Sequence, residues 1–198
     1  MQQKGFDVNI TPEDSEQDLS VSELWKYRDL IVLLVRRDFI ANYKQTILGP
    51  AWAVVQPIMS TIVTAIVFGN LAKMSPVGIP IFLFYMSGQV LWTFFSSCLT
   101  QTANTFLANM NVMGKVYFPR FVAPVASTIS NFVSLFIQIV LFICFYIWYV
   151  INGYPVSINI TVCLIPLYLI HLALLALGVG AILSALTTKY RDLNVLLR

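Results

Sequence analysis

VAPVASTISNFVSLFIQIVLFICFYIWYVI, residues 122–151, decides the fold. The stretch holds no Asp, Glu, Lys or Arg. A helix needs about 20 apolar residues to cross a hydrocarbon core of about 30 Å, and this one has them. Its chemistry is graded. Ser127, Ser130 and Asn131 make a wet start, and Trp148, Tyr149 and Tyr154 form an aromatic belt at the far end, as rings do at a membrane–water boundary. Asn152-Gly153-Tyr154-Pro155 then reads as a turn.

Three more stretches of the same kind surround it, at about 50–72, 81–106 and 160–187. Pro50 suits a first helical turn, and Pro57 is expected to kink the first span or mark its early turns. The second span is apolar and aromatic at first. It then carries Ser96, Ser97, Thr100, Gln101, Thr102 and Asn104, groups that in lipid must face protein or a wet cavity. The whole chain is 58% hydrophobic and 11% charged, with a mean hydropathy of +0.78. Soluble domains average roughly 25% charged residues. The fold class expected is therefore an all-α membrane protein, with an N-terminal amphipathic interfacial helix and four transmembrane helices.

Charge is placed as tightly as apolarity. Eight of the 9 acidic residues fall between Asp7 and Asp38, and the ninth is Asp192. A charge at the bilayer centre costs about 2.5–3.5 kcal/mol on insertion scales, which keeps it out of spans. Residues 1–19, with five carboxylates among Gln, Ser and Thr, read as a flexible cytoplasmic tail. They lack the order of a cleavable signal peptide. Residues 20–198 read as one transmembrane domain that is incomplete at its C-terminal end.

Within it, 20–48 is the interfacial segment. Ser20-Val21-Ser22-Glu23 fits a capping box, so a helix is expected from there to about Lys44. At 100° per residue Lys26, Asp29, Arg36, Arg37 and Lys44 share one arc. Leu24, Ile31, Leu34, Val35 and Phe39 lie largely opposite, with Asp38 out of pattern on the apolar side. Such a helix lies along a membrane with its basic face in the headgroups or on a partner. Arg36, Arg37, Lys44, Lys115, Arg120, Lys189 and Arg191 all fall on one side of the four spans, Lys73 alone on the other. The positive-inside rule then puts both termini in the cytoplasm.

Absences narrow the function. Gly114-Lys115 is followed by Val116, so no phosphate-cradling loop is present and ATP hydrolysis is not expected of this chain. No span holds a carboxylate for ion coupling. No nucleophile–base pair, metal spacing or cofactor motif stands out. Cys98, Cys144 and Cys163 are expected to be small buried apolar residues. His171, inside the fourth span, reads as a histidine bonded to a neighbouring helix or as a proton relay. Gln56, Gln89, Gln101, Gln138 and Asn131 line a polar path or glue helices together, and both readings stand. The net charge of +3 is split among loops and gives no nucleic-acid surface. What remains is a conduit or scaffold driven by a cytoplasmic partner, with contacts available at 20–44, at 107–121 and after Thr187.

Three ordered blocks then resemble a known family. Leu34-Val-Arg-Arg-Asp38, Tyr43-Lys-Gln-Thr-Ile-Leu-Gly49-Pro-Ala-Trp52 and Gln56-Pro57 form the first. Lys115-Val-Tyr-Phe-Pro-Arg120, preceded by Asn109 and Asn111, is the second, and Leu177-Gly-Val-Gly180 to Lys189-Tyr-Arg-Asp192 the third. Together they resemble ABC-2-type permeases that export O-antigen, capsule or teichoic-acid polysaccharide. The resemblance implies a homodimer in the bacterial inner membrane, two separate ATP-binding cassette subunits, and a lipid-linked glycan as substrate. It implies ATPase coupling through Arg36, Arg37, Asp38, Asn109, Lys115, Tyr117, Arg120, Tyr190, Arg191 and Asp192, and glycan contacts at Trp52, Tyr85, Trp92 or Phe95. Export of drugs or small lipids, or a non-transporting scaffold, are the alternatives. Family members usually have six spans, so a chain of four reads as a fragment or a truncated gene.

Overall fold

A computed structural model describes residues 25–44, 51–74, 78–109, 121–154, 156 and 160–189. Five α-helices are described: α1 (Arg28–Lys44), α2 (Trp52–Thr64), α3 (Ile81–Ala108), α4 (Val122–Ile151) and α5 (Ile165–Lys189). A π-helical stretch, Ala65–Leu71, continues α2, and a 3-10 turn, Ile160–Leu164, leads into α5. There is no strand among the described residues. Trp52–Gly69, Ile81–Phe106, Val122–Ile151 and Ile160–Thr187 are each long and apolar enough to cross a membrane. The chain is an all-α, multi-pass membrane protein with one additional helix.

One face of α3 explains why it sits at the centre. Leu83, Met86, Val90, Phe94, Cys98, Thr102, Thr105 and Asn109 follow one another at steps of three or four and are all buried, which is the spacing of a single helix stripe. Leu169, Ala173 and Ala176 of α5 and Leu135 of α4 close on its apolar half. Phe94 meets Phe132 of α4 at 4.9 Å between ring centroids. Between helices in lipid there is little hydrophobic driving force, so close packing and interhelical bonds hold the bundle. Gly180 supplies the closest approach: a Cβ there would lie 2.7 Å from the Thr102 Cβ. One turn and more further on, the Thr187 hydroxyl donates to the Ala103 carbonyl at 3.1 Å.

The α1 helix lies outside this bundle and docks on it. Ile31 and Leu34 pack against Val122, Ala123 and Ala126 at the start of α4. Part of its apolar surface stays uncovered. Val32 and Leu33 are exposed on α1, so its apolar residues occupy two sides and only one of them meets α4. The capping box at Ser20 lies outside the described residues.

One expectation changes. Only Cys98 is buried, and Cys144 and Cys163 are exposed. The outer face of a span meets lipid, where a small weakly polar thiol is compatible without a protein neighbour. In the first span Pro57 falls in the early turns of α2, and the departure from α geometry comes at the span's C-terminal end. There the Ala72 N–H bonds the Val67 carbonyl, 3.0 Å away and five residues back. Gly69 lies against Ile81, leaving no room for a Cβ. The Tyr85 hydroxyl donates to the Met74 carbonyl at 2.6 Å and ties α3 to the end of the first span.

Candidate functional site

The buried stripe of α3 turns polar at Thr102, and the facing part of α4 is polar too, with Ser127, Ser130, Asn131 and Gln138 buried. In a membrane such groups need partners inside the protein. Gln101 and Asn131 find each other across α3 and α4. Each side-chain amide donates to the other's carbonyl oxygen, both bonds at 3.1 Å. The Asn131 amide also donates to the Ser127 carbonyl at 2.9 Å. A turn away, the Thr105 and Ser127 hydroxyls stand 3.4 Å apart. The Asn109 amide donates to the Thr105 carbonyl at 2.9 Å.

From Asn109 the series leaves the bundle. The Arg37 guanidinium on α1 donates to Asn109 Oδ1 at 2.8 Å. Its other nitrogens donate to Asp38 Oδ1 at 3.0 and 2.8 Å. Asp38, out of pattern in the sequence, is thus the counter-charge that fixes the arginine. Arg37, Asp38, Ala41, Asn104, Asn109 and Ser127 line a cavity of about 310 Å³ at this rim. Hydrogen-bonded groups therefore run from a helix outside the bundle, through the end of α3, to an amide pair within the spans.

The inner end of that series opens on a second cavity, of about 270 Å³, between α2, α3 and α4. Five carboxamides line it: Gln56, Gln89, Gln101, Asn131 and Gln138. Ser60, Thr93, Ser97 and Ser134 add hydroxyls, and Trp52 an indole. Gln89 donates to Thr93 at 3.3 Å. The Gln138 Oε1 atom is buried without a hydrogen-bond partner among the described residues.

The residues expected from the sequence divide accordingly. Arg37, Asp38 and Asn109 come together, whereas Arg36 is exposed. Lys115, Tyr117, Arg120, Tyr190, Arg191 and Asp192 lie outside the described residues. Of the four aromatic candidates, Trp52 alone lines the inner cavity. Tyr85 bonds the Met74 carbonyl, Phe95 packs on the α3–α5 core, and Trp92 is 64% exposed beside it. The cavity meets α3 along Gln89, Thr93, Ser97 and Gln101; Trp92 and Phe95 are off that row, and Tyr85 is on it one turn before the cavity. His171 is exposed on α5 and has no polar partner among the described residues. Gln56, Gln89, Gln101, Asn131 and Gln138 share one cavity, and two of them, Gln101 and Asn131, are bonded to each other across helices.

Residues 29–197 match the family model described as ABC-2 type transporter. The chain belongs to the ABC-2 type transporter family. The match opens within α1, so the ABC-2 region includes the Arg37 rim as well as all four spans. Two relatives, from Klebsiella pneumoniae and Myxococcus xanthus, both bear the name O-antigen export system permease protein RfbA. The first is 28% identical over 166 residues, 84% of this chain and 62% of the relative. The second is 28% identical over 174 residues, 88% of this chain and 64% of the relative. This ABC-2 chain thus spans less than two thirds of the length of either.

Proposed function

We propose that the chain is the permease subunit of an ATP-driven exporter that moves lipid-linked polysaccharide across a bacterial inner membrane. The observation that carries this reading is the Arg37–Asn109 bond. It ties a helix outside the bundle to the end of the span that lines the polar cavity. A movement imposed on α1 has a direct hydrogen-bonded route to the amide groups inside. The spans carry no Asp, Glu, Lys or Arg of their own, which supports an outside source of energy. In this reading two copies pair, and a separate ATP-binding cassette subunit docks on the cytoplasmic rim. The contact comprises Arg36, Arg37 and Asp38 on α1, the loop carrying Lys115, Tyr117 and Arg120, and the segment Tyr190–Asp192. The name shared by the two relatives supports O-antigen as the glycan class.

Charge reversal at a docking rim acts mainly on association. Arg36→Glu combined with Arg37→Glu is expected to abolish co-purification of the ATP-binding subunit and to stop surface display of the glycan. The protein should stay in the membrane at normal abundance. Retention of both partner binding and export would misplace the rim. Deletion of the gene is expected to remove the surface glycan. Unchanged glycan with heightened drug sensitivity would point instead to export of small amphiphiles.

A further inference from the structure

The cavity between α2, α3 and α4 holds more polar groups than helix packing needs. Gln101 and Asn131 satisfy each other, and Gln89 reaches Thr93. Gln138 is different. It is 9% exposed, it lines the cavity, and its Oε1 atom has no partner among the described residues. A buried acceptor left unmade is costly, and such a group marks a place where something else donates to it.

The lining defines what that donor belongs to. Carboxamides and hydroxyls both donate and accept, and they carry no net charge. Among the described lining residues there is no cation and no carboxylate. An anion brought into this low-dielectric space would stand unpaired at high cost. Water meets the hydrogen-bonding requirement but has no use for Trp52, whose indole shares the same wall. A pyranose meets both requirements: hydroxyls for the amides and an apolar C–H face for the ring. We propose that this cavity, inside one protomer, binds a single uncharged sugar unit and discriminates against acidic sugars. The proposal deepens the export reading, because the sugar bound would be part of the exported chain.

The test is saturation-transfer NMR on the full chain in lipid nanodiscs. The probes are the methyl α-glycosides of glucose, mannose and galactose, with methyl glucuronide as the acidic counterpart. At least one neutral glycoside is expected to receive saturation, and the glucuronide none. Loss of one hydrogen-bonding partner is worth about a fivefold weakening, so Gln138→Leu should reduce the affinity by about that factor. Gln56→Leu, on the exposed α2 wall, serves if the Gln138 variant fails to fold, as judged by its melting temperature. Cys144→Ser, outside the cavity, should bind as the parent does. Absence of transfer to every neutral glycoside overturns the site, as does equal transfer to the glucuronide or indifference to the wall variants. If gene deletion removes the surface glycan while these binding results fail, the cavity assignment falls and the export reading stands. If deletion leaves the glycan intact while the sugar binds, the reverse holds.

Discussion

Gln101 and Asn131 show how much one amide pair can settle. Their two reciprocal bonds join α3 to α4 where lipid offers no substitute. Replacing Gln101 by leucine strands the buried Asn131 side chain, at a cost of about 1–3 kcal/mol, whereas replacing Asn131 leaves the exposed Gln101 unpaired at a smaller cost. Replacing both removes the stranded group as well. Gln101→Leu and Asn131→Leu are each expected to lower the melting temperature in detergent, and the double variant to recover at least half of the summed loss. A strictly additive double variant would mean that the pair carries no coupling. The residue types were legible, because polar side chains in an otherwise apolar span must be used for something. The pairings were not. Arg37 and Asn109 are 72 positions apart, and helical periodicity tells which face a residue occupies without telling what meets it. The same gap explains the aromatic candidates: ring chemistry nominated Tyr85, Trp92 and Phe95, but the residues that α3 turns to the cavity are Gln89, Thr93, Ser97 and Gln101.

At the scale of the element, α5 offers a matched comparison. A Cβ on Gly180 would run into Thr102 of α3, while one on Gly178 would meet nothing within 4 Å. Both glycines are helical, and glycine costs roughly 1 kcal/mol relative to better helix formers. Gly178→Leu should therefore be neutral or raise the melting temperature slightly. Gly180→Leu should destabilise by about 1–3 kcal/mol, the range for overpacking, and push α5 from α3. Cysteine cross-linking between the two helices would register that separation. Equal melting temperatures for the two variants would contradict the packing described. Helix extents were legible from apolar length and flanking turn residues. The π-helical end of α2, where Gly69 lies against Ile81, was not, since no local signal in the sequence marks it. Pro57, the strongest local signal in that span, sits instead in an α-helical stretch where Thr61 donates to its carbonyl at 2.7 Å.

For the whole molecule, hydropathy made the fold class legible and the sequence blocks made the family legible. The relation of α1 to the bundle needed the structure. Its docking on α4 through Ile31 and Leu34 puts Arg37 within reach of α3, and neither contact leaves a mark in sequence periodicity.

The charge-free spans have an electrical consequence. Moving one elementary charge across the membrane potential is worth about 2.3 kcal/mol per 100 mV. Helices that carry no fixed charge through the field do no such work, so voltage has no handle on their rearrangement. In proteoliposomes clamped with potassium and valinomycin, the conformational stroke, followed by Trp52 fluorescence during ATP turnover, is expected to run at the same rate from zero to −100 mV. A rate that tracks the imposed potential would require gating charge that these helices do not contain.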